Sequence, residues 1–327
     1  MKSNILFDEY FSMFVTNIQR KYLTHYQDHL YHPESTVFSH SRLVALLLPN
    51  TPTMQMCALL HDIGKLSCTQ VHVKHNTLRI QNIGHAEISN NCIEPLRKYL
   101  FNEIKDIDWE CVHQVTYYHM RMHDYNDNKI KKSEKRKAME ELKYFKELSM
   151  FSTADKNGVG SSESMLPYVV VTVGMSGSGK STWRKSFITE MTEGKTPFIA
   201  ICPDDLRKEL TGDISNQTKN NEVWDKAFSI LDYYICNKQN VVFDSTCTNL
   251  DTMKRILRHC QSDTKHKAIV IFKIFNVDID TCKCRVNDDI LHGVDRSKVP
   301  MEVIDRQYEG YKKVVDWIKS NDKLIME

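Results

Sequence analysis

The chain has 327 residues, 41% hydrophobic and 26% charged, with 44 Lys and Arg against 42 Asp and Glu for a formal net charge of +2. That composition excludes a disordered or fibrous chain, and the length suffices for two domains. The near-neutral balance excludes a bulk electrostatic grip on nucleic acid, so a polyanion site must come from local clustering. No apolar run reaches the roughly eighteen residues of a membrane span, and Met1–Tyr10 lacks an apolar core of signal-peptide length. The 10 cysteines follow no ligand spacing; Cys282 and Cys284 are too close for a zinc knuckle. The expectation is a cytoplasmic protein with reduced thiols, many of them core fillers such as Cys57.

The N-terminal half is helical in pattern. Val37, Leu43, Val44 and Leu47 fall on one side of a helix over Thr36–Leu48, which Pro49-Asn50-Thr51-Pro52 ends. Thr53–Asp62 begins the next helix. Cys68–Ile83 alternates weakly through Val71, Val73, Leu78 and Ile80, which predicts a small hairpin. Helical patterns return at Gly84–Leu100, Asp108–His123 and Ser133–Ser149. The basic run Lys129–Lys137 reads first as a solvated loop and helix start, with a polyanion-guiding patch as the alternative. Asn157–Ser164, rich in Gly and Ser, reads as an interdomain linker.

His40, the pair His61-Asp62, His85, His119 and Asp155 each lie on or beside a predicted helix. Imidazole nitrogen and carboxylate oxygen suit divalent first-row metals that activate water. Neighbouring helical residues point about 100° apart, so His61 and Asp62 can serve two metals or two corners of one. Lys65 lies one turn beyond His61, on the same face, where it can neutralise a bound phosphate. Among the 14 histidines, His72, His75 and His113 read as surface or hydrogen-bonded residues. His119 is preferred to His123 on the face that they share.

The spacing of His40, Ala58-Leu59-Leu60-His61-Asp62-Ile63-Gly64-Lys65, Gly84-His85-Ala86-Glu87-Ile88-Ser89, His119 and Ala154-Asp155 resembles the HD phosphohydrolase superfamily, over Thr36 to Asn157. The resemblance implies an all-α fold with metal-dependent hydrolysis of phosphate esters. His85 and His119, beside His40, His61, Asp62 and Asp155, resemble its two-metal version, in which a hydroxide attacks phosphorus and the metals stabilise charge on the equatorial oxygens. The metals implied are a pair of Mn²⁺, Ni²⁺, Co²⁺ or Fe²⁺, with Asp62 and Lys65 in the catalytic set.

Past the linker, apolar β-branched runs alternate with polar helical stretches. Strands are predicted at Tyr168–Val173, Phe198–Ile201, Val241–Asp244 and Ala268–Phe275, in a parallel α/β sheet with helices on both faces. Between the first strand and the helix opened by Ser181 and Thr182 lies Gly174-Met175-Ser176-Gly177-Ser178-Gly179-Lys180-Ser181. This GxxxxGK[ST] pattern is the phosphate-binding loop, whose glycines let several backbone N–H groups point at one polyphosphate. Lys180 would reach the β- and γ-phosphates of ATP, and Ser181 would place its hydroxyl on Mg²⁺. Asp204 and Asp205 follow the second strand at the sheet's C-terminal edge, where open α/β sheets bind ligands. One of these carboxylates can take a proton from an acceptor hydroxyl, and Arg207, one turn on, can hold an acceptor phosphate. Asp244 ends the third strand as a partner for the Mg²⁺ shell, and Arg285 and Arg296 sit in a lid-like segment able to offset charge on the transferring group.

The Gly-Ser-Gly-Lys-Ser-Thr-Trp run, Asp204-Asp205-Leu206-Arg207, Asp244, Arg285, Arg296 and Val299-Pro300 together resemble the polynucleotide 5′-kinases of phage and bacterial RNA-repair systems, over Pro167 to Lys312. The resemblance implies Asp204 as general base toward a 5′-OH and Arg207 on the 3′-phosphate of the acceptor. Ser245-Thr246 replaces the Thr-Asn expected after Asp244. An HD module ahead of such a kinase resembles the bifunctional end-healing fusions, with an HD phosphohydrolase over 1–160 and a P-loop polynucleotide kinase over 166–327. The substrates implied are RNA or DNA ends with 5′-OH, a nucleoside triphosphate, and 2′,3′-cyclic or terminal 2′/3′ phosphates, with no membrane partner. The residues alone also allow a small-molecule or nucleoside kinase fused to a nucleotide phosphohydrolase, or a nucleotide-sensing regulator. A homo-oligomer is compatible with either.

Overall fold

The computed structural model describes residues 5–28, 31–34, 36–160, 166–194, 196–261, 267–294, 296–321 and 323–326. The chain divides into two units, one of residues 1–70 and 80–165 and the other of residues 71–79 and 166–327.

The first unit is built from α1 (Ile5–Ser12), α2 (Thr16–Thr24), α3 (Val37–Leu47), α4 (Pro52–Leu60), α5 (Lys65–Cys68), α6 (His85–Leu100), α7 (Trp109–Asn126), α8 (Ser133–Glu140) and α9 (Phe145–Asn157), with the ends of a hairpin, β1 (Thr69–Lys74) and β2 (Thr77–Asn82). Helix starts carry the chemistry that the sequence displays. Thr36 caps α3 by accepting from the Ser39 N–H at 3.2 Å, Asp108 caps α7 through Cys111 at 3.1 Å, and Pro52 opens α4. Helix α4 is the centre: Met54 to Leu60 are all buried, as expected of a helix packed on every side. Its one buried amide, Gln55, donates to the Ala45 and Pro49 carbonyls at 3.1 and 3.0 Å, which offsets the cost of desolvating its NH2 group, while its Oε1 has no hydrogen-bond partner.

Two elements depart from the expected layout. The helix expected over Ser133–Ser149 is two helices, α8 and α9, broken at 141–144. No Gly or Pro marks the break. The Tyr144 N–H donates to Gln114 at 2.6 Å and its hydroxyl to Asp108 at 2.7 Å, so α7 holds the turn. The helix expected over Thr53–Asp62 ends at Leu60, which leaves His61 and Asp62 in the turn that follows. Of the expected linker Asn157–Ser164, residues 161–164 lie outside the described residues.

The second unit contains β3 (Tyr168–Val173), α10 (Lys180–Glu193), β4 (Phe198–Ile201), α11 (Pro203–Thr211), α12 (Asn220–Cys236), β5 (Asn240–Phe243), α13 (Leu250–Cys260), β6 (Ile269–Ile274), α14 (Ile279–Leu291), α15 (Met301–Ser320) and β7 (Leu324–Met326). Its sheet has the strand order β2-β1-β7-β6-β3-β5-β4. All six residues of β3 are buried, the mark of a central parallel strand covered on both faces. Each fully buried valine there contributes about 1.5–3 kcal/mol relative to an exposed one. Strand β3 pairs in parallel with β5 and β6, and β4 with β5. Residues 71–79 join this unit rather than the first, because β1 runs parallel to β7 at Val71–Met326. Hairpin β1–β2 turns through His75 and Asn76, both at positive φ (50° and 54°), the two-residue geometry that matches strand twist.

Candidate functional site

In the first unit the short turn after α4 brings two motifs together. Gly64 stands where a Cβ would lie 2.3 Å from the His85 carbonyl oxygen and 2.6 Å from the Ser89 nitrogen. Only a residue without a side chain allows that approach, and the Gly64 N–H seals it by donating to Ser89 Oγ at 2.8 Å. The His61-Asp62 turn therefore abuts the start of α6, which carries His85.

The ligand-type side chains converge in a buried cluster. Asp62 Oδ1 lies 3.2 Å from His85 Nε2 and 3.8 Å from His119 Nε2. Asp62 Oδ2 lies 3.2 Å from His61 Nε2 and 3.8 Å from His40 Nε2. Asp155 Oδ1 accepts from His40 Nε2 at 2.8 Å and stands 3.8 Å from His61 Nε2. The donor sets His40–His61–Asp155 and Asp62–His85–His119 each place their candidate ligand atoms within 4.8 Å of one another.

Three of these imidazoles are oriented by one device. Nδ1 of His61, His85 and His119 bonds to the carbonyl three residues earlier, Ala58, Asn82 and Thr116, at 3.0, 2.8 and 2.7 Å. A carbonyl fixes the proton on Nδ1 and leaves the Nε2 lone pair facing the centre, the tautomer a metal requires. His61 Nε2 and Asp62 Oδ1 are buried without a hydrogen-bond partner, an arrangement costly unless a cation is bound there. The donor set thus fits one or two divalent ions.

Electrostatics separate the cluster into charged and neutral members. Burial alone would raise the Asp62 pKa, but His61 and Lys65 hold it well below the usual carboxylate range. Burial is likewise overridden at Asp155, by hydrogen bonds from His123 and His40. His40 opposes its own burial through Asp155 and Glu34 and is raised to about 9. Burial lowers His119 to about 3, and burial, with the Lys65 charge, lowers His32 to about 4.

The pH dependence of stability follows. Unfolded histidine titrates near about pH 6.5. Below that pH the unfolded chain binds protons that folded His119 and His32 refuse, so their contribution falls with pH. The His40 contribution is fully present below about 6.5 and is lost as pH rises toward 9. Chelator-treated protein is therefore expected to melt highest near pH 6.5, with His119→Asn flattening the acid limb. A melting temperature that climbs steadily from pH 6.5 down to 5 would exclude this account.

One residue departs from its expected placement. Lys65 faces Asp62, not His61: its Nζ lies 2.6 Å from Asp62 Oδ2 and donates to Gln27 at 2.5 Å, and the residue is buried. The helix had ended, so Lys65 stands three positions beyond Asp62 in a new turn, and it neutralises that carboxylate. His123 also joins the centre, donating to Asp155 Oδ2 at 2.8 Å, because it lies one turn beyond His119 on α7. Sequence reasoning missed His32 and Glu34 entirely. Glu34 bonds to His32 at 3.0 Å and to His40 at 2.9 Å, and its other oxygen accepts from the Gly160 N–H at 3.0 Å. No motif spacing flags either residue. His113 matches its surface reading, bonded to Asn90 and Glu94.

In the second unit, strand register gathers the phosphate site. Val171 pairs with Phe243, and Phe243 with Ile201, so β5 and β4 end level at one edge and β3 runs two residues further. Gly174 and Asp244 follow the ends of β3 and β5 directly, and Pro203 comes after Cys202 beyond the end of β4. Gly177 takes φ 85°, and a Cβ there would lie 2.4 Å from the Cys282 carbonyl oxygen. Lys180 opens α10, is buried, and donates to the Met175 carbonyl at 2.7 Å across the loop. Burial lowers its pKa against the pull of Asp244. Ser181 Oγ donates to Asp244 Oδ2 at 3.4 Å, and Thr172 Oγ1 donates to Asp244 Oδ1 at 3.2 Å. Burial raises Asp244. A serine hydroxyl beside a strand-end carboxylate is a donor set that suits the Mg²⁺ of a nucleotide.

Asp204 and Asp205 lie in the first turn of α11, after Pro203. Asp204 pairs with buried Arg207, which also donates to Asn220 at 3.3 Å. Asp205 instead pairs with Arg184 at 3.2 Å, and Arg184 reaches Asp244 at 3.3 Å. Arg184 was not anticipated; its position after Trp183 on α10 is the only signal in the sequence. Ser176 N–H donates to Gln307 at 2.8 Å, a second residue not foreseen. Arg285 comes to the loop, donating to the Gly177 carbonyl at 3.4 Å. Arg296 is paired with Asp289 near the end of α14.

No curated protein sequence matches this chain. A solved structure of the Pnkp1/Rnl/Hen1 RNA repair complex aligns over 46% of this chain and 46% of the other, at 19% identity and a TM-score of 0.39. A second structure of a Pnkp1/Rnl/Hen1 complex aligns over 37% and 39%, at 23% identity and a TM-score of 0.31. The chain thus spans less than half the length of either. The AAA domain family matches residues 169–314, from inside β3 into α15, so the second unit carries a kinase-like P-loop domain.

Proposed function

We propose that this chain heals broken nucleic-acid ends. Its second unit transfers the γ-phosphate of ATP to a 5′-OH polynucleotide, and its first is an HD-type phosphohydrolase acting on 2′,3′-cyclic or terminal 2′/3′ phosphates. The observation that carries the reading is the coexistence of two phosphate-handling constellations: a glycine-spaced loop with Lys180, Ser181 and Asp244 together, and a buried cluster of imidazoles and carboxylates with two orphaned polar atoms. Many ribonucleases leave a 5′-OH and a cyclic phosphate, so the two activities fit one lesion. The chain's place in this reading is the cytoplasm.

In the kinase, Lys180 and the loop amides bind the triphosphate, and Ser181 with Asp244 would hold Mg²⁺. Asp204 takes the proton from the acceptor hydroxyl, Arg207 holds the acceptor phosphate, and Arg285 and Arg296 offset charge on the transferring group. In the hydrolase, His40, His61 and Asp155 would hold one divalent ion and Asp62, His85 and His119 a second, of the Mn²⁺, Ni²⁺, Co²⁺ or Fe²⁺ class. Such ions supply an activated water and Lewis-acid stabilisation of phosphate oxygens. Lys65 keeps Asp62 ionised, and the carbonyl-bonded Nδ1 atoms keep the rings aimed.

The test is end-group analysis of an RNA bearing a 5′-OH and a 2′,3′-cyclic phosphate, incubated with ATP, Mg²⁺ and Mn²⁺ or Ni²⁺. The expected products carry a 5′-phosphate and an opened or removed terminal phosphate. Transfer to nucleosides or sugars with none to the RNA would overturn the kinase assignment.

A further inference from the structure

The end of α7 and the segment leading into α8 enclose a surface concavity of about 290 Å³ lined by Arg121, Asp124, Lys129, Ile130, Lys131, Lys132 and Lys135. Five cations meet one carboxylate there, on a chain whose overall charge is only +2. Lys129 is anchored to Asp124 and Asp127 at 3.7 and 3.0 Å. The side chains of Arg121, Lys131, Lys132 and Lys135 have no acidic partner among the described residues and face solvent. Next to Lys135, Arg136 ties α8 to the end of α7: it stacks over Tyr125 at 4.1 Å and donates to the Tyr125 carbonyl at 3.3 Å. One turn before Arg121 on the same helical face stands Tyr117, 45% exposed. Unpaired cations on a concave wall, with an exposed aromatic ring along the same face, combine backbone neutralisation with base stacking.

We infer that this groove docks the phosphodiester backbone of a single-stranded nucleic acid, with Tyr117 stacking on a base. The inference rests on the end-healing reading for its substrate class. Helix α7 also carries His119 and His123, so a strand seated here runs on the element that reaches the buried histidine–carboxylate cluster.

The experiment is fluorescence anisotropy of the full chain with a labelled single-stranded 20-mer RNA, titrated at several salt concentrations. The triple variant Lys131→Ala, Lys132→Ala, Lys135→Ala is expected to bind at least about tenfold more weakly. Its salt slope should be lower by about 2, since each neutralised phosphate of a single strand contributes about 0.7. Tyr117→Ala is expected to weaken binding several-fold with the salt slope unchanged. Hydrolysis of bis(p-nitrophenyl) phosphate with Mn²⁺, which needs no groove, should stay within twofold of the parent in all variants. Unchanged affinity and slope in the triple variant would overturn the groove. Displacement of the RNA by a polyaspartate peptide at equal charge would mark an acidic-protein surface instead, and also overturn it. Unchanged binding in Tyr117→Ala, with duplex bound as well as single strand, would overturn the single-strand assignment. If the small ester is not turned over by any form while RNA binding still falls in the triple variant, the hydrolase reading fails and the groove stands.

Discussion

Replacing Asp62 with alanine is expected to reduce hydrolysis of a terminal cyclic phosphate by on the order of 10³-fold or more, and to leave ATP-dependent phosphate transfer within about twofold. Among the described residues Asp62 is the one carboxylate that reaches both halves of the cluster: Oδ1 faces His85 and His119, and Oδ2 faces His61 and His40. Removing it takes the only carboxylate from the Asp62–His85–His119 set and leaves the other set with Asp155 alone. It also leaves the Lys65 ammonium buried with only Gln27 as a named partner. Breaking a buried pair in that way costs about 3–5 kcal/mol, so lost activity alone would not separate chemistry from folding. The double change Asp62→Ala with Lys65→Met removes both charges and should recover much of the melting temperature. It should recover none of the hydrolysis, and metal content measured by mass spectrometry should stay low. Recovery of hydrolysis in the double variant would show that Asp62 serves only to balance Lys65.

The second unit was the more legible half, and the reason is physical. A strand buried on both faces must be apolar throughout, so Tyr168–Val173 announces itself, and a phosphate loop requires glycines at fixed offsets from a lysine. The ends of β4 and β5 then placed Asp204 and Asp244 without further information. The first unit displayed its helix starts through Thr36, Pro52 and Asp108, because capping is local chemistry. What it concealed is set by tertiary contact. The turn at 141–144 is held by Gln114 and Asp108 from α7, and nothing within Ser133–Ser149 foretells that. Lys65 was placed by helical spacing from His61, but the helix stops at Leu60 and the lysine swings to Asp62. His32, Glu34 and Arg184 escaped notice because they act through partners distant in sequence: Gly160 and His40 for Glu34, Asp205 and Asp244 for Arg184. Lone charged residues of that kind look like solvated surface until the partner is seen.

Asp204→Asn should lower the turnover of phosphate transfer to a 5′-OH oligonucleotide by about 10²–10⁴-fold, the range of a positioned general base, with little change in KM for ATP. The carboxylate suits that role. It is half exposed at the sheet edge, paired to Arg207, and close enough for its charge to act on Lys180. Arg207→Gln should act differently. The guanidinium is buried between Asp204 and Asn220, and its Nε has no hydrogen-bond partner. If it holds the acceptor phosphate, its loss raises KM for the oligonucleotide more than it lowers kcat, because that contact is made in ground and transition states alike. The contrast is the test. Equal falls in kcat for both variants, with acceptor KM unmoved, would mean that Arg207 only orients Asp204. Full activity in Asp204→Asn would transfer the base role to Asp205, whose pairing with Arg184 and, through it, Asp244 offers the alternative path. In either variant, hydrolysis of the terminal phosphate should continue unchanged, since the residues proposed for it all belong to the first unit.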